Sequence, residues 1–126
     1  MKITTSSILF LILLSGLMNE GCKKDTPRSE LILGWWDSEQ VFIDGVEWEG
    51  GGNGAIFYWF KEDGTYDRVY ESGNWSFANG EQELMFDMPG VQSYVMIILR
   101  LTSDELWLSR ITNNQTYEYH FLRKEQ

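Results

Sequence analysis

The chain has 126 residues, a formal net charge of −9 and a single cysteine, and 15% of its residues are aromatic. That length suits one domain of ordinary size, and a lone cysteine excludes an internal disulfide. So acidic a surface repels phosphate backbones, which excludes nucleic acid as an expected partner.

Lys2 precedes an apolar run from Ile8 to Met18 that only Ser15 and Gly16 interrupt. The run is too short to cross a hydrocarbon core, which needs about 20 residues, and it has no polar face. It reads as the core of a signal peptide spanning residues 1–21. The sole cysteine, Cys22, follows directly. In an exported chain such a thiol is free, intermolecular or modified, and its place beside the leader favours modification. Gly21-Cys22-Lys23-Lys24-Asp25 resembles the relaxed lipoprotein signal of Bacteroidetes-type bacteria, with Asn19 and Glu20 where an aliphatic and a small residue are usual. The resemblance implies a palmitate-type anchor on Cys22 and a place in the cell envelope, periplasmic or surface-exposed. Residues 22–30 then form a polar tether carrying Pro27, and residues 31–126 form the domain. Without the leader the charge is still −9, from 9 basic and 18 acidic residues.

From Leu31 onward short apolar-aromatic runs alternate with turn residues, the pattern of an antiparallel β-meander. Asp44-Gly45, Asp63-Gly64, Ser72-Gly73 and Asn79-Gly80 supply the positive-φ positions of tight hairpins. Pro89-Gly90, Ser103-Asp104 and Asn113-Asn114 mark further reversals. Gly50-Gly51-Gly52-Asn53-Gly54 reads as a flexible loop whose ordering costs entropy. Eight strands are expected between these markers, over 31–43, 55–61, 65–71, 74–78, 82–87, 91–101, 105–112 and 115–124, the first broken by a bulge or short helical turn.

Alternation assigns one face of each strand to the interior. The inward set is Ile56, Tyr58 and Phe60; Tyr66, Arg68 and Tyr70; Trp75 and Phe77; Leu84 and Phe86. It continues with Val95, Ile97, Leu99 and Leu101, then Leu106 and Leu108, then Tyr117, Tyr119 and Phe121. A meander with one apolar side per strand closes on itself to remove its edges, so the expected fold is an all-β, up-and-down barrel of about eight strands.

Several segments are similar to bacterial lipocalin-like lipoproteins. Gly34-Trp35-Trp36 resembles the G-x-W opening, and Phe60-Lys61-Glu62-Asp63-Gly64-Thr65-Tyr66 resembles the F-x-x-D-G-T-[FY] hairpin. Gly73-Asn74-Trp75-Ser76-Phe77 and Leu101–Leu108 resemble the later strand and hairpin, so the similarity runs from about Leu31 to Lys124. It implies a lipocalin-like barrel in which Arg123 packs over Trp36 to close the bottom. The T-D-Y-type segment of animal lipocalins is missing.

Catalytic constellations are scarce. His120 is the only histidine, so any His-based triad or His-rich metal site has just one possible member, and alternation points it outward as a solvated surface residue. Glu62-Asp63, Glu81, Glu83 and Asp104-Glu105 lie at turns, where acids serve turn chemistry. Glu47 and Glu49, leading into the glycine loop, are the least routine pair. No enzyme activity, metal or cofactor is expected. Arg68 and Arg110 carry more information, because burying an unpaired charge is costly. Either they anchor a small hydrophobic or amphipathic anion among Tyr58, Tyr66, Tyr70 and Trp75, or they sit at rims and reach water. The competing expectation is a solid barrel that contacts an envelope protein or glycan through outward Trp35, Phe57, Trp59 and Trp107 or through the glycine loop.

Overall fold

The computed structural model describes residues 26–124, so the leader, Cys22 and the start of the tether lie outside the described residues. A one-turn helix at Arg28–Leu31 precedes nine strands. These are β1 (Gly34–Ile43), β2 (Val46–Trp48), β3 (Phe57–Phe60), β4 (Thr65–Arg68), β5 (Glu71–Ala78), β6 (Glu83–Asp87), β7 (Tyr94–Leu101), β8 (Glu105–Thr112) and β9 (Gln115–Arg123). All pairings are antiparallel, and the order β1-β3-β4-β5-β6-β7-β8-β9 returns to β1 through a β1–β9 ladder. The result is a closed eight-stranded barrel, with β2 as an extra strand folded back on the upper half of β1. Closure removes free sheet edges from the eight barrel strands.

β1 serves three partners, and its bulge lets it do so. Its first half pairs with β3 and its last residues with β2, while β9 runs along both. The register slips between Ser38 and Gln40, where the strand bends. Ser38 is buried there, and its Oγ accepts from the Ile56 N–H at 3.0 Å. The glycine loop is packed rather than free. An ideal Cβ on Gly51 would lie 2.7 Å from the Cβ of Val41, so only glycine permits the loop to seal that side of β1.

The core is strongly aromatic. Trp36, Tyr58, Phe60, Tyr66, Phe86 and Phe121 are fully buried with Leu84, Leu106 and Leu108, and Tyr58 packs against Phe60, Tyr66, Phe86 and Phe121. Large rings fill a small barrel with few residues. The segment entering β1 plugs one end. Ile32 is fully buried and its carbonyl accepts from the Trp36 indole at 2.9 Å. Arg123 lies over the Trp36 ring at 4.2 Å and donates to the carbonyls of Leu31, Leu33 and Ser103. Burial, opposed by the nearby Asp104 carboxylate, pulls the Arg123 guanidinium below its ordinary pKa.

Four expectations are corrected by these coordinates. The reversal after β4 falls at Val69-Tyr70, and Ser72-Gly73 lies inside β5. Tyr70 takes φ 57° in that turn and is fully exposed, so it is not an interior wall. On β7 the inward residues are Met96 and Ile98, whereas Val95, Ile97 and Leu99 face out, Leu99 being 48% exposed. The run Tyr94–Leu99 is apolar on both faces, so alternation alone does not choose between registers. A bulge between Ile98 and Arg100 then turns Leu101 half inward. Finally, His120 is outward but not solvated: it stacks flat on Trp107 at 3.9 Å and packs on Phe42.

Candidate functional site

The end opposite the plug is the mouth, ringed by the β1–β2, β4–β5, β6–β7 and β8–β9 connections. Tight turns bring inward side chains there into one cluster. Arg68 and Glu71 face each other across the β4–β5 ladder. Glu71 Oε2 accepts from the hydroxyls of Tyr66 at 2.5 Å and Tyr94 at 2.7 Å, and its Oε1 faces Arg68 Nη1 at 3.4 Å. With the Tyr94 proton committed to Glu71, the Tyr58 hydroxyl, 3.1 Å away, donates to the Tyr94 oxygen. Burial pushes the Tyr58, Tyr66 and Tyr94 phenols above their ordinary pKa of 10.0, which holds them as neutral donors.

Two guanidiniums share this cluster with that one carboxylate. Arg68 lies over the Tyr58 ring at 5.3 Å, and Arg110 lies over the Tyr94 ring at 4.2 Å. Burial lowers the affinity of Arg68 for its proton, but the surrounding Tyr58, Tyr94 and Glu71 oxygens outweigh it and hold the pKa raised. Arg68 Nε is buried with no hydrogen-bond partner, and Arg110 makes no ion pair among the described residues. Tyr119 feels both guanidiniums, which oppose the rise that burial causes in its phenol pKa.

Tyr119 also lines an apolar recess of about 170 Å³, together with Val41, Ile43, Trp48, Ile56 and Tyr117. The mouth is therefore amphipathic, cationic on one side of Tyr119 and hydrocarbon on the other. Of the residues singled out from sequence, Tyr58, Tyr66, Arg68 and Arg110 meet here. Tyr58 and Tyr66 are core rings that offer only their hydroxyls. Trp75 faces inward at the plugged end, where its indole donates to the Lys61 carbonyl at 3.2 Å. Tyr94 and Glu71, the centre of the network, were not singled out. The misplaced turn hid Glu71, and the reversed face of β7 hid Tyr94.

On the outer wall Trp35 stacks on Phe57 at 4.9 Å and on Trp59 at 5.6 Å. Lys124 lies over Trp35 and Lys61 over Trp59. Glu47 and Glu49 are exposed, and no group of His, Cys, Asp or Glu suited to a metal exists among the described residues.

No family model matches the chain, and no curated protein sequence matches it. Among solved structures, the crystal structure of a lipocalin-like protein from Bacteroides uniformis superposes with a TM-score of 0.55 at 15% identity, over 75% of this chain and 99% of that one. The fold is lipocalin-like. In this lipocalin-like barrel the plugged end and the amphipathic mouth lie at opposite ends of the strands.

Proposed function

We propose that the chain is an exported envelope lipoprotein, acylated at Cys22, whose barrel mouth holds a small, partly apolar carboxylate without catalysing a reaction. The supporting observation is the charge imbalance at the mouth. Arg68 and Arg110 face a single carboxylate, Glu71, and Arg68 Nε is buried without an acceptor. An anionic ligand supplies the missing acceptor, and charge-assisted bonds of this kind are the strong ones. The adjoining recess of about 170 Å³ is smaller than the usual drug-sized pocket of about 300–1,000 Å³. It takes a single ring or a short branched chain, and the barrel beneath is filled by aromatic side chains.

Calorimetric titration with phenylacetate, benzoate and 4-methylpentanoate tests this reading. Saturable binding of at least one is expected, weakened about tenfold or more in Arg110→Ala through loss of a charge-assisted hydrogen bond. Absence of heat with all three, or equal affinity in Arg110→Ala, would reject the mouth as the site. A second reading, a glycan or protein contact on the outer wall, draws on the Trp35–Phe57–Trp59 stack. There the ring faces are spent on one another and on Lys61 and Lys124, so the mouth is the better supported site.

A further inference from the structure

The outward face of β6, β7 and β8 carries a group of aliphatic side chains, with Glu83 and Ser109 flanking Ile97. Met85, Val95, Ile97, Leu99 and Ile111 are all exposed, Ile97 at 45% and Ile111 at 71%. The register makes them one surface. Met85 pairs with Val95, and Ile97 lies two residues along the same strand, opposite Ser109, with Ile111 two residues further along β8. Arg100, set over the Trp107 ring at 5.3 Å, closes the lower border. Exposed aliphatic side chains grouped on adjacent strands and bordered by polar residues have the form of a contact surface.

The entry point of the chain says what covers it. Arg28 Nη1 donates to the Glu81 carbonyl at 3.0 Å, which ties the start of the described chain to the β5–β6 turn. Glu81 is two residues before Glu83, the partner of Ile97. Cys22 is six residues before Arg28, a reach of at most about 20 Å. A barrel of eight strands is about 25 Å across with its side chains, and β6 stands opposite β1 in the strand order. A lipid on Cys22 can reach the β6–β8 side, and the exposed aliphatic side chains there, not the reach alone, favour that side over the β1–β3 wall, whose aromatic faces are occupied by one another and by Lys61 and Lys124.

We infer that the outer face of β6, β7 and β8 lies against the lipid surface that holds the anchor, so that the barrel rests on its side and its mouth opens along the membrane. This orientation rests on acylation at Cys22. Aliphatic side chains enter the acyl boundary, and the Arg100–Trp107 pair suits the headgroup level.

The test starts from the chain beginning at Cys22, coupled through that sole thiol to maleimide-bearing lipid in phosphatidylcholine vesicles. The vesicles also carry phosphatidylcholine with a diazirine in its acyl chain. After illumination, lipid adducts mapped by mass spectrometry are expected on residues 83–111 and severalfold fewer on residues 34–60. Ile97→Glu, at an exposed position that leaves the fold intact by circular dichroism, is expected to cut labelling of Val95 and Leu99 about tenfold. Adducts spread evenly, or concentrated on the β1–β3 wall, overturn the orientation. So does loss of lipid adducts from β7 as the surface density of protein rises, an outcome that assigns the face to a second copy. The mass of the Cys22 peptide from a bacterial host reports separately on the anchor. An unmodified Cys22 removes the lipoprotein reading, while the synthetic link still interrogates the face.

Discussion

An ideal Cβ on Gly73 would lie 2.3 Å from the Asp87 carbonyl oxygen. The neighbouring strand backbone takes the space a side chain would need, which is why glycine stands in the middle of β5. Gly73→Ala is expected to cost about 2–3 kcal/mol in urea denaturation, because backbone must move to admit it. Gly64, at φ +87° with nothing within 4 Å, has open space but a strained backbone, and Gly64→Ala is expected to cost about 1 kcal/mol. A loss at Gly73 no larger than at Gly64 would contradict the close approach. The same residue shows what sequence did not resolve. Ser72-Gly73 has the composition of a turn, but the glycine is needed for a through-space neighbour 14 residues away, a requirement no local window contains. Glu71, the carboxylate that faces Arg68, was hidden by that one misread glycine.

β7 makes the corresponding case for an element. Tyr94–Leu99 is apolar at every position, so its two faces are chemically alike and only the ladders with β6 and β8 decide which turns inward. Leu99→Lys is expected to change stability in solution by less than about 0.5 kcal/mol. Met96→Lys, which buries an unpaired ammonium in the core, is expected to abolish cooperative folding by circular dichroism. The reverse ranking would restore the other register. The segment before β1 is the second such element. Ile32 belongs to no strand yet plugs the barrel end, and Ile32→Ala is expected to cost about 2–4 kcal/mol in the same denaturation assay. Where alternation was clean, as on β6, β8 and β9, the face was legible from the chain alone.

At the level of the whole molecule, the mouth network ties stability to alkaline pH. Tyr58, Tyr66 and Tyr94 have their phenol pKa raised above 10.0, first by burial. A raised folded pKa contributes stability that is fully present below the unfolded value near 10 and is lost as pH rises through the folded values. These three phenols are therefore expected to stay neutral through the ordinary tyrosine range and to ionise only as near-UV circular dichroism collapses. Tyrosinate absorbance recorded alongside that signal checks it, and ionisation of all three near pH 10 with the near-UV signal intact contradicts the burial.

Hairpin turns, the number of barrel strands and most inward faces follow from local composition and period-two alternation, so the sequence by itself determined an up-and-down β-barrel. It also placed Arg68 and Arg110 on the interior side, because a charge within an alternating apolar strand stands out locally. Tertiary structure decided which way β7 faces, where β5 begins, and that a glycine-rich loop packs instead of moving. It also decided that two arginines meet one carboxylate beside a hydrocarbon recess. Each of these depends on backbones and side chains brought together from distant strands when the barrel closes, and that contact geometry has no counterpart in the spacing of residues along the chain.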